Sequence, residues 1–139
     1  MTASANFHSI YGKLLGLLKP GNSSLRSLLI DGALCLGNGT KTATATSGAA
    51  TLNKPSGVVT SEAITTAAGA TYTLTLTNAT IEAADIVFAT VSLGSGTGGT
   101  PAIASVKPAA GSVVIIVQNI HASAAFNAAI KIGFVVLKA

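Results

Sequence analysis

The sequence predicts a mainly β protein: an antiparallel β-sandwich of the jelly-roll type, residues 40–139, behind an extended or partly helical N-terminal arm, residues 1–39. Three observations carry this expectation. Thr71-Tyr72-Thr73-Leu74-Thr75-Leu76-Thr77 alternates polar and apolar residues without a break, the two-residue period of a half-buried strand. Short runs rich in Val, Ile and Thr recur through residues 57–139, divided by Gly, Pro and Asn turn signals. The composition is 49% hydrophobic and 9% charged, without Trp, so the apolar content is mostly Ala, Val, Leu and Ile. Small aliphatics with abundant Thr, Ser and Gly suit thin β-layers packed closely together, and also subunit interfaces where a charge is costly to desolvate.

In the arm, Phe7, Ile10, Tyr11, Leu14, Leu15 and Leu18 recur at the spacing of one helix face. Asn6 stands where a cap is needed and Pro20-Gly21 where the helix must stop. A second short helix fits Ser24–Ile30. Segments this short need a surface to pack on, in their own domain or on another chain. Phe7, Ile10, Tyr11, Leu14, Leu17 and Leu18 are the candidate contacts with a neighbour.

Gly37-Asn38-Gly39 is a turn signal. Lys41–Ala50 alternates Thr and Ala, as an edge strand or an extended linker does. Val58–Thr65 reads as a strand, Ala67–Ala70 as the turn into Thr71–Thr77, and Asp85–Leu93 as the next strand. Gly94–Gly99 reads as a hairpin loop, Pro101–Val106 as a short strand and Pro108–Gly111 as a turn. Ser112–Asn119 is nearly continuous in apolar residues and reads as a strand buried on both faces. The last strand, Ala128–Lys138, sets Ile130, Ile132, Phe134 and Val136 on one face.

The net charge is +4, yet Lys13, Lys19, Arg26, Lys41, Lys54, Lys107, Lys131 and Lys138 are spread along the whole chain. Nucleic-acid binders concentrate such charge and interleave it with aromatics, so nucleic acid is not an expected partner. A negatively charged protein surface suits the balance better. No run of eighteen apolar residues is present, and the arm's polar face carries two lysines, so no membrane association is expected either. The N-terminus lacks a basic segment ahead of an apolar core, which points to synthesis in a cytoplasm without export by that route.

The candidate chemical groups are sparse. Cys35 lies in the apolar run Ala33–Leu36 and reads as a small buried hydrophobe. Gly94-Ser95-Gly96-Thr97-Gly98-Gly99 lacks the Lys-Ser/Thr ending of a phosphate loop. Glu82 and Asp85 are too few for a calcium site and read as a solvated loop. His121 has no second ligand at metal spacing and reads as a strand-end hydrogen-bonding group, with a pH-sensitive contact as the alternative. Asn22, Asn38 and Asn78 open glycosylation triplets that read as chance matches. No nucleophile, base and acid stand in a recognisable set, so no enzyme, cofactor or metal is expected.

Gly57–Asn78 and Ser112–Asn127 together resemble small virion proteins of tailed bacteriophages, a likeness of texture that spans about residues 55–139. The resemblance implies a capsid cement or decoration protein, or the attachment domain of a head or tail appendage. It also implies a β-sandwich, commonly trimeric, seated on the icosahedral lattice. The expected partners are then the major capsid protein and the chain itself, as a homotrimer on the surface of the virion. Within that picture Tyr72, Leu74 and Leu76 belong to the core, and Thr71, Thr73 and Thr75 are the candidate trimer contact. The alternative is a fibre component that binds a receptor or a carbohydrate.

Overall fold

A computed structural model describes residues 40–139. The arm lies outside the described residues, and with it Phe7, Ile10, Tyr11, Leu14, Leu17, Leu18 and Cys35.

Eight strands form two four-stranded sheets. They are β1 (Thr42–Thr44), β2 (Ala49–Thr51), β3 (Ser56–Thr60), β4 (Thr71–Thr77), β5 (Ile86–Ser92), β6 (Pro101–Ala109), β7 (Ser112–Asn119) and β8 (Lys131–Leu137). The first sheet runs β1-β3-β8-β5 and the second β2-β4-β7-β6. The fold is mainly β, as the alternation and the turn spacing require. Only β6 and β7 are consecutive within one sheet; every other connection crosses from one sheet to the other. The two sheets therefore cannot separate without pulling on almost every loop.

The sheets are mixed rather than purely antiparallel. β1 pairs parallel with β3, and β2 parallel with β4. Parallel neighbours need a crossover between them. Here the crossover from β1 to β3 is β2, which lies in the other sheet, and that from β2 to β4 includes β3. The Thr/Ala alternation of Lys41–Ala50 thus holds parts of two edge strands. They are divided by a tight turn at Ser47 and Gly48, both at positive φ. Gly48 is required there: a Cβ would lie 2.6 Å from the Thr73 carbonyl oxygen, while the Gly48 carbonyl accepts from the Thr75 N–H at 2.8 Å.

Three alternating stripes supply most of the core. Tyr72, Leu74 and Leu76 of β4 meet Val113, Ile115 and Val117 of β7, and Ile132, Phe134 and Val136 of β8 face them from the first sheet. Ile64, Ile81, Phe126 and Ile130 come from the connections and close the ends. The expected inward face of β8 is borne out.

Strand boundaries, one connection and one burial pattern differ from expectation. β3 ends at Thr60: the Ser61 N–H still donates to the Ile130 carbonyl in register, but the Ile130 N–H returns to the Ser61 hydroxyl instead of the Ser61 carbonyl, and the ladder stops there. β6 runs on through Pro108, which an edge strand tolerates, and the turn shrinks to Ala110 and Gly111, with Gly111 at φ 75°. Gly94–Gly99 joins β5 to β6 across the sheets and is not a hairpin. β7 is buried on one face only; Val114, Ile116 and Gln118 point outward, half-exposed, because nothing among the described residues covers the second sheet on that side.

Candidate functional site

Among the described residues the large apolar side chains left exposed are Val58, Ile86, Phe88, Ile120 and Leu137, and four of these five stand on one face, the outside of the first sheet. Register places them together. Phe88 is opposite Val135, which is opposite Ser56; Ile86 is opposite Leu137; Val58 and Thr90 flank Gly133 from either side. Phe88 is 61% exposed, Ile86 57%, Leu137 47% and Val58 37%. Strand alternation explains why: β8 sends even positions inward, so odd positions, which carry Gly133, Val135 and Leu137, face out. β5 sends Val87 and Ala89 inward and Ile86 and Phe88 outward.

Gly133 shapes this face. Without a side chain at the centre of β8 the surface sinks between Val58 and Thr90, and a shallow apolar groove of ≈ 480 Å³ runs along it. Lys41, Thr42, Val58, Phe88, Thr90 and Val135 are among its walls. The next cross-strand row is polar: Thr60, Lys131 and Ser92.

The threonine face of β4 lies on the opposite side of the sandwich. Thr71, Thr73 and Thr75 are exposed, with Thr73 opposite Ile116 and Thr75 opposite Val114. The three are coplanar neighbours on an accessible sheet face. The hydroxyls alternate with half-buried aliphatics, so this face is less apolar than the first-sheet face.

The remaining candidates are structural. Asp85 is not solvated: it is buried, its Oδ2 accepts from Lys138 Nζ at 2.8 Å and from the Glu82 N–H at 2.8 Å, and Glu82 reaches the same lysine at 3.4 Å. Lys138, then the Glu82 amide, hold the Asp85 carboxyl below its ordinary value. The pair clamps the end of β8 to the turn before β5. Glu62 accepts from the Gly48 N–H at 2.9 Å and from the Tyr72 hydroxyl at 3.0 Å; burial first, then this bond, pushes the phenol well above its usual range. His121 Nδ1 accepts from the Ser123 and Ala124 N–H groups, so it is the strand-end group the sequence suggested. Asn127 accepts from the Thr97 and Gly98 N–H groups and so ties down the glycine-rich loop. Asn78 is fully buried and donates to the Lys54 carbonyl. Among the described residues no three His, Cys, Asp or Glu side chains gather as metal ligands do, and no helix is long and apolar enough to cross a membrane.

Sequence reasoning missed the first-sheet face. The signal was there in Ile86-Val87-Phe88 and Phe134-Val135-Val136-Leu137, which are apolar at both parities of the strand period. Such a run means burial on both faces or an exposed apolar patch, and only the sheet order tells which.

Comparison with protein-family models, with curated proteins and with solved structures finds no match to this chain.

Proposed function

We propose that the chain is a non-enzymatic structural protein of a tailed-bacteriophage virion. The specific reading is a capsid cement protein that binds the major capsid protein and stabilises the icosahedral head as a homotrimer. The observation that carries it is the apolar outer face of the first sheet, which nothing among the described residues covers. A sandwich whose connections cross between the sheets is stiff, and a stiff body with an exposed apolar sheet face is suited to gripping another protein surface. The likeness of residues 57–78 and 112–127 to small virion proteins supports the same reading.

The two outer faces divide the work in this reading. The uncharged row Thr71, Thr73 and Thr75 serves the trimer, and the first-sheet face serves the shell. Four strands about 4.8 Å apart and about 20 Å long give that face about 400 Å² in projection, below the ~800 Å² per partner of a standard interface. One such contact is weak, and repetition by symmetry makes many of them strong. The arm adds a second attachment through Phe7, Ile10, Tyr11, Leu14, Leu17 and Leu18. Deleting residues 1–20 lowers occupancy on particles if the arm has this role.

A second reading is a receptor- or carbohydrate-binding component of a fibre. It is favoured by exposed Phe88 beside Thr90, an aromatic next to a hydroxyl. Quantitative mass spectrometry of purified particles decides between the two. A copy number near that of the major capsid protein supports cement, a few copies per particle support the appendage, and absence from particles overturns both.

A further inference from the structure

We propose that the outer face of the first sheet docks a protein segment in which an apolar side chain is flanked by carboxylates, the apolar group lying in the groove over Gly133. This deepens the reading above and rests on it for the identity of the partner, not for its chemistry.

The groove defines the apolar part. Its floor is Gly133 and its walls are Val58, Phe88, Thr90 and Val135. A Cβ on Gly133 would lie 3.0 Å from Thr90 Cγ2, so even a methyl group there takes up part of the space. A Leu or Phe laid along the groove covers Phe88 and Val58 and removes their apolar surface from water.

Charge defines the rest. Lys41 lines the groove and Lys131 ends the same face, next to Thr60 and Ser92. Among the described residues no Asp or Glu stands on this face. Their carboxylates are already engaged: Glu62 by Gly48 and Tyr72, and Glu82 and Asp85 by Lys138. Among the described residues nothing offsets Lys41 and Lys131, and carboxylates on a partner would complement them. This argues against a second copy as the occupant. Two chains of net charge +4 pressed face to face would add cations to cations with no carboxylate on the sheet surface between them. It also argues against nucleic acid, since phosphates would engage the lysines and leave the apolar rows exposed to water.

The test uses the full chain, ¹⁵N-labelled, titrated with two capped peptides, Ac-Glu-Leu-Glu-Phe-Glu-NH₂ and its Lys-for-Glu counterpart. The acidic peptide is expected to shift the amide signals of Val58, Phe88, Gly133 and Val135 and to leave those of Thr71, Thr73 and Thr75 in place. The basic peptide is expected to shift none. Phe88→Ser should weaken the acidic peptide by about tenfold or more, and so should Lys41→Glu with Lys131→Glu; Lys107→Glu on the other sheet should not. Equal shifts with both peptides, or none with either, overturn the proposal. So does sedimentation of the free chain in which Phe88→Ser abolishes self-association, since that makes a second copy the occupant. These variants change outward-facing side chains, and an unchanged melting temperature verifies their fold. Absence of the chain from virions would overturn the virion reading and leave the peptide result to stand or fall alone.

Discussion

Asn119 closes one end of the sandwich, and replacing it with Ala should be among the costliest polar substitutions in the chain. The residue is fully buried at the end of β7. Its Oδ1 accepts from the Thr100 N–H at 3.0 Å and the His121 N–H at 3.2 Å. Its Nδ2 donates to the Thr66 carbonyl at 3.1 Å and the Ala124 carbonyl at 2.8 Å. One side chain thus joins the connection before β4, the entry to β6 and the connection after β7. Asn119→Ala takes the side-chain partner from the Thr100 and His121 N–H groups and from the Ala124 carbonyl at once, while the Thr66 carbonyl keeps the Phe126 N–H at 3.0 Å. At about 1–3 kcal/mol for each group left unsatisfied, three give an upper bound that relaxation and entering water reduce; about 3 kcal/mol remains. For a domain of this size that corresponds to a loss of about 12 °C or more in melting temperature. Asn119→Asp should be at least as damaging at pH 7, because a carboxylate cannot donate to the two carbonyls. Its deficit should shrink in acid as the carboxyl gains a proton. Asn127 provides the internal control: it accepts from two N–H groups in the same way, but it is exposed and water replaces it. Asn127→Ala should cost under about 1 kcal/mol. Thermal and urea unfolding of the three variants measure all of this. A fall under about 4 °C for Asn119→Ala, or equal losses for Asn119→Ala and Asn127→Ala, would refute the argument that burial sets the cost.

Asp85→Asn should flatten the acid limb of stability. The folded carboxyl is held low by Lys138, so its contribution is complete above the ordinary carboxylate value near ~3.9 and disappears as pH falls through the lower folded value; urea midpoints from pH 7 to pH 2 show whether the wild type loses more than the variant. Gly48→Ala should destabilise by about 2 kcal/mol or more, from the positive φ and the 2.6 Å approach to Thr73 O, measured by urea unfolding. Phe88→Ser should leave stability within about 0.5 kcal/mol of wild type, because most of the ring already faces water; a melting temperature lowered by about ten degrees would mean that the face is covered within the free protein.

Periodicity alone made the core legible. Tyr72, Leu74 and Leu76, and Ile130, Ile132 and Phe134 on either side of Lys131 and Gly133, are buried because a two-residue alternation has only one way to hide its apolar half. The turn at Gly111 was legible for a related reason, since glycine accepts the positive φ of a two-residue hairpin. The arm was legible only as a pattern of apolar spacing.

What the sequence could not contain is which strand lies beside which. Lys41–Ala50 looks like one alternating stretch, yet its ends join different sheets, because the partners of β1 and β2 are strands further along the chain. The apolar run of β7 read as two-sided burial, but its position in the second sheet leaves Val114 and Ile116 half in water. The candidate site depends on the same fact. Phe88 meets Val135, and Ile86 meets Leu137, only because β5 pairs with β8 although β6 and β7 lie between them in the chain. Local chemistry determined the period, the turns and the inward faces; long-range strand pairing decided which outward faces became a threonine surface and which became an apolar one.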